Sequence, residues 1–204
     1  MILYPSDGEH LRAEIAMAAA RMIAEDGADY ATAKRKAAKL ILGNSKTRGD
    51  VLPDNAQIEA EVREYQALFM GDEQPARLKS LRLLAVELMQ RFERFHPRLV
   101  GAVANGTAGE HSDIHLQLFP ESGKDVAVFL LNADVDYVVG ETPHYKQRGE
   151  MLETLSFMWK NEGVHLTIYE PDTVRSTPRA GNGKAQEQLT LSMLNALLNE
   201  SDEA

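Results

Sequence analysis

Asp113, His115 and His165 are the residues whose types and spacing point most directly to chemistry. Asp113 and His115 stand two apart in an alternating stretch, Asp113 to Phe119, whose other places are Ile114, Leu116 and Leu118. Strand side chains repeat every second residue, so Asp113, His115 and Gln117 share the face opposite that apolar set. A second alternating stretch, Val164 to Glu170, turns Val164, Leu166 and Ile168 to a core and leaves His165, Thr167 and Tyr169 on the other side. Together the two histidines and the carboxylate form a set suited to a transition metal, since imidazole is a poor ligand for magnesium. The plainer alternative is an acid capping a turn and two half-exposed strand histidines.

Upstream, Gly106-Thr107 ends an apolar run, and Ser112 directly precedes Asp113. The segment from Gly106 to Leu116 resembles the signature of the DNA polymerase β-like nucleotidyltransferase superfamily. The resemblance implies that Gly106, Thr107 and Ser112 are nucleotide- or phosphate-binding residues, and the first two suit that role because glycine permits close backbone approach and threonine supplies a hydroxyl. In that family a strand ends in Gly-Ser, a short turn follows, and the next strand carries Ser-Asp-Ile-Asp-Leu; here Ser112-Asp113-Ile114-His115-Leu116 stands in the second place.

The resemblance covers roughly residues 80 to 170 and implies a nucleotidyltransferase-like α/β (α+β) fold with a mixed sheet and a helical N-terminal extension. It also implies a metal site in which Asp113 survives as the catalytic acid. His115 replaces the second carboxylate, and alignment of the last strand puts His165 where the third would be. Glu170 is the acid expected to substitute as a catalytic residue, with Asp136 and Asp172 behind it. Two functions follow as expectations. The favoured one is a divergent, catalytically degenerate member that binds a nucleotide or another phosphorylated ligand, or serves a protein partner. The alternative is an active transferase that uses a divalent metal, magnesium or a transition ion, to move a nucleoside monophosphate onto a small molecule, RNA or protein.

Composition excludes several classes. The 204 residues contain no cysteine, so there is no thiolate nucleophile and no disulfide framework. A formal net charge of -9 disfavours a surface that coats nucleic acid, where phosphate neutralisation by Lys and Arg dominates. The one basic cluster, Lys34-Arg35-Lys36 with Lys39, falls on an expected helix and reads as a solvated face. No run reaches the length of a membrane span, and a cytoplasmic location is expected. Gly181-Asn182-Gly183-Lys184 lacks the spacing of a phosphate-binding P-loop. Arg175, Arg179 and Lys184 read as solvated loop charges. No Gly-x-Ser-x-Gly or His-Glu-x-x-His motif is present.

The elements that must position these residues change character at Pro97. Before it, helices are expected from Ser6 to Gly27, with capping-box spacing between Ser6 and Glu9, and from Thr32 to Leu42. A third should begin near Asp54 and bury Ile58, Val62, Tyr65 and Phe69, and a fourth should follow Pro75 with Leu81, Leu84, Leu88, Phe92 and Phe95 inside. A loop should run from Gly43 to Pro53. After Pro97, Leu99 to Ala104 reads as a buried strand. A helix is expected over Ser122 to Leu131, with strands near Val135 to Gly140 and Thr154 to Lys160, a turn at Asn161-Glu162-Gly163, and a closing helix around Leu189 to Leu198. The organisation expected is a helical extension, 1–75, and a core domain, 76–204, forming one compact unit.

Overall fold

A computed structural model of the chain describes residues 7–43, 51–143, 150–171 and 187–203. The fold is mixed α/β: helices accompany a five-stranded mixed sheet. The chain divides into two compact units. Residues 1–74 with Gly109–His111 form a helical unit, and residues 75–108 with 112–204 form a sheet unit.

The helical unit comprises α1 (Asp7–Asp26), α2 (Tyr30–Leu42) and α3 (Asn55–Phe69). Ser6, the expected cap of α1, lies outside the described residues. Gly27 ends this helix at φ 65°, where a Cβ would fall 2.5 Å from that of His111. α2 begins two residues earlier than expected because Asp29 caps it, its side chain accepting from the Thr32 amide. α3 starts with a reciprocal capping box. The Asp54 carboxylate takes the Gln57 amide at 2.8 Å, and the Gln57 side chain takes the Asp54 amide at 2.9 Å, satisfying two donors that a helix start leaves open. Ile15, Ala19, Ala33, Ala37, Ile58 and Val62 form the core of this unit. Phe69, expected inside, is 69% exposed, because the helix turns its final residues away from that core.

In the sheet unit, α4 (Glu73–Arg91) carries Leu81, Leu88 and Met89 into the core, and a short 3-10 turn over Glu93–Phe95 leads to β1 (Arg98–Val100). The expected strand from Leu99 to Ala104 is cut short. Gly101 takes φ 75°, and Gly101–Asn105 coils into a short helix, α5. A continuous apolar run is equally compatible with a buried helix and a buried strand, and the glycine decides between them here. The remaining elements are β2 (Ile114–Leu118), α6 (Gly123–Asn132), β3 (Val138–Pro143), β4 (Met151–Trp159), β5 (Glu162–Ile168) and α7 (Leu191–Glu203).

The strand order is β1-β2-β5-β4-β3, with β2 and β5 parallel and the other neighbours antiparallel. Leu99, Leu116, Leu155, Phe157, Val164 and Leu166 turn to one face, where they share a single core with α4, α6 and α7. The other face is polar. A two-residue turn, Lys160 and Asn161 at φ 50° and 68°, joins β4 to β5, one position earlier than expected. This pair of left-handed residues matches the twist of the two strands. Arg77 of α4 grips Glu162 through two hydrogen bonds of 2.5 and 2.6 Å, and Lys160 meets Glu87, so α4 is fastened to both sides of that turn.

Candidate functional site

Register builds the site. His115 lies beside His165 where β2 runs parallel to β5, and Ser156 lies opposite His165 where β4 runs antiparallel to it. The row continues to Val100 on β1 and Val138 on β3, so one transverse line of the sheet reads Val100, His115, His165, Ser156, Val138. Because Ile114, Leu116, Val164 and Leu166 are fully buried on the other face, the strands that carry His115 and His165 cannot turn over without exposing the core.

His165 is the centre of a hydrogen-bonded chain. Its Nε2 lies 3.0 Å from Asp113 Oδ2 and its Nδ1 lies 2.8 Å from Ser156 Oγ. Neutral His165 meets both partners with the proton on Nε2, donating to the carboxylate, while Nδ1 accepts from the Ser156 hydroxyl. Asp113 reaches across β5 to make this bond because residue 163 has no side chain: a Cβ there would stand 2.6 Å from Asp113 Cγ. The carboxylate is half exposed and the imidazole less so.

His115 lies flat on His165, centroids 4.7 Å apart and planes at 17°. Desolvation, and then the neighbouring His165, push its pKa down to about 4, with Asp113 opposing. His115 nonetheless keeps solvent contact as a residue, and that contact screens the effect. Near neutrality His115 is therefore an uncharged imidazole.

The opposite end of the polar face is closed. Gln117 is 4% exposed: its amide donates to Tyr169 Oη at 3.3 Å, and its carbonyl accepts from Gln188 at 2.5 Å. On the side of β3, the Thr142 and Thr154 hydroxyls bond at 2.8 Å.

The Gly106 turn is directed inward. The amides of Gly106, Thr107 and Ala108 all donate to the Ala102 carbonyl, and the Thr107 hydroxyl donates to Asn105 Oδ1 at 2.7 Å. Thr107 is 3% exposed. Gly106 holds φ 87° to end α5, whose last carbonyls receive the Arg82 guanidinium. These donors serve the helix end in this conformation. Ser112 is half-buried just before Asp113.

The sheet brings Asp113, His115 and His165 together and leaves Glu170 apart. Glu170 lies beyond the far end of β5, seven positions from Gly163, or roughly 23 Å at the rise of a strand. Asp136 precedes β3, three strands from β2, or roughly 14 Å across the sheet. Asp172 lies outside the described residues, as do His144, Arg175, Arg179 and Lys184.

As arranged, the trio does not fit a metal ion. Imidazoles that share an ion point their nitrogens at it, whereas these rings stack, and both nitrogens of His165 are already engaged. Among the described residues, no group of three His, Cys, Asp or Glu side chains is placed to hold a metal.

Ser156 had no sequence motif to mark it. Its signal is arithmetic: with the turn at Lys160-Asn161, paired positions sum to a constant, and Ser156 falls opposite His165. The chain Asp113-His165-Ser156 has the components of an activated hydroxyl. Acyl transfer also needs donors aimed at the developing oxyanion, and β4 lies between two strands that occupy its backbone amides.

No protein-family model matches the chain. Nor does any curated protein match it. No helix among the described residues is long and apolar enough to cross a membrane.

Proposed function

We propose that this chain is a divergent nucleotidyltransferase-like protein without transfer chemistry, which binds a nucleotide or another phosphorylated ligand on the polar face of its sheet. The observation that carries this reading is the side-by-side placement of His115 and His165, with Asp113 hydrogen-bonded to His165. In the pattern that the segment resembles, acids at these places hold metal, and the metal offsets their repulsion of phosphate. Here two of the places carry imidazoles, and the remaining carboxylate is engaged. An anion then meets one carboxylate in place of three, with the single N–H of the neutral His115 ring beside it, and needs no bridging cation to approach. The missing acids are also those that would activate an attacking group through metal.

The test is thermal stabilisation of the protein by nucleoside triphosphates and by inorganic phosphate, each in EDTA and each with magnesium, manganese or zinc. A bound ligand raises the apparent stability of the native state. The expected result is a shift that persists in EDTA and disappears in His115→Ala. A shift that requires metal and is lost in Asp113→Ala, accompanied by nucleoside monophosphate transfer, would replace this reading with that of an active transferase. No shift with any nucleotide or phosphate would remove the ligand.

A further inference from the structure

The helical unit carries a surface that its own core does not use. Met17, Leu40, Leu68 and Phe69 are 51 to 72% exposed, and all of them line one groove of about 720 Å³ between α1, α2 and α3. Scattered exposed hydrophobics are ordinary, but four large ones around a single concavity mark a binding surface. Tyr65 packs on Phe69 at 4.7 Å and hydrogen-bonds to Glu25, which fixes the aromatic side of the groove.

The rim is acidic. Glu25, Asp26, Glu61 and Glu64 line it, with Arg21 as the cation among the lining residues, and Arg21 is paired with Glu25 at 2.9 Å. Partial burial and the neighbouring Glu64 raise the Glu61 carboxyl above its ordinary pKa, as expected where acids crowd together.

We propose that this groove receives a basic amphipathic helix of a partner protein, its apolar stripe against Met17, Leu40, Leu68 and Phe69 and its Lys or Arg residues against the acidic rim. Three walls made of helices suit the helix-in-groove mode, in which anchors at i, i+3 or i+4 and i+7 enter a concave apolar surface. The charge selects the partner. A second copy related by a two-fold axis would set the acidic rim against itself. A second copy offering Lys34, Arg35 and Lys39 of α2 would make a head-to-tail contact that continues into a polymer.

The probe is a fluorescein-labelled amphipathic peptide of about 18 residues built from Leu and Lys, long enough to form helix on binding, with a Leu and Glu peptide of the same pattern as control. Anisotropy is followed with the full chain and with two double variants, Leu68→Ser with Phe69→Ser and Glu61→Lys with Glu64→Lys. Their helix content is checked by circular dichroism. Leu131→Ser, at an exposed position of the sheet unit, serves as a reference variant. The expected result is binding of the basic peptide at least about tenfold tighter than the acidic one, weakened by salt and by about tenfold or more in each double variant, and unchanged in the reference. Equal binding of both peptides, or unchanged binding in Leu68→Ser with Phe69→Ser, overturns the proposal. So does a concentration-dependent rise in mass by light scattering that the same double variant abolishes, since the occupant is then a second copy.

Discussion

His115 lies flat against His165, ring centroids 4.7 Å apart. Desolvation, and then the stacked His165 ring beside which a second positive charge is costly, hold the His115 pKa down to about 4. The unfolded chain, with an ordinary histidine pKa near 6.5, binds more protons than the folded one between about pH 4 and 6.5. Stability from this residue is therefore complete above about pH 6.5 and is lost as the pH falls toward 4. Because His115 is exposed to solvent, the loss is about 1 kcal/mol, less than the full shift equates to. Urea unfolding of the parent and of His115→Gln across this range checks it: the two midpoints should converge toward acid. An NMR titration of the His115 ring should show a midpoint well below that of an ordinary histidine.

Gly163→Ala should displace Asp113 from His165, since the added methyl enters the space of the carboxylate. A destabilisation of about 1–3 kcal/mol is expected, as for overpacking elsewhere. In the Asp113→Ala background the same substitution should cost much less. A double-mutant cycle by urea denaturation measures the coupling, and an additive cycle would show that the two residues do not compete for space.

Arg77→Lys should be nearly as harmful as Arg77→Ala, because the guanidinium makes two parallel bonds to Glu162 that an ammonium cannot reproduce. Both groups are roughly three-quarters buried, and removing the arginine should cost about 2 kcal/mol. Denaturant midpoints of the two variants decide the comparison.

His115→Asp restores an acid two residues from Asp113 on the same face. If the site descends from a magnesium site, calorimetry should detect magnesium binding in the variant and little in the parent. Binding no better than the parent's would count against the ancestry proposed for the site.

The core of the sheet was legible in the sequence because burial imposes a period of two. Ile114, Leu116 and Leu118 of β2 and Val164, Leu166 and Ile168 of β5 all face inward as their alternation predicts. Asp113, His115 and His165 were placed on the polar face by the same rule. What periodicity could not give was the neighbour of each strand. Ser156 joins the site only through the β4–β5 register, and that register follows from a turn placed one residue away from where composition suggested. Leu99 to Ala104 failed for a different reason: an unbroken apolar run carries no period at all, and the backbone at Gly101 decided the outcome. The inward direction of the Gly106 and Thr107 donors was likewise hidden, since a glycine that ends a helix and one that cradles a phosphate look alike in sequence.

The Lys160-Asn161 turn supplies none of the site residues and yet governs their register. Adding or removing a single residue there would rotate β5 half a turn against β4, sending His165 into the core and Leu166 out to water. Point substitutions across the polar face therefore leave the architecture of the site standing, whereas a length change in this hairpin removes it at once. Among variants of this chain, fixed spacing between Ser156 and His165 is therefore the mark of a retained His165–Ser156 pairing.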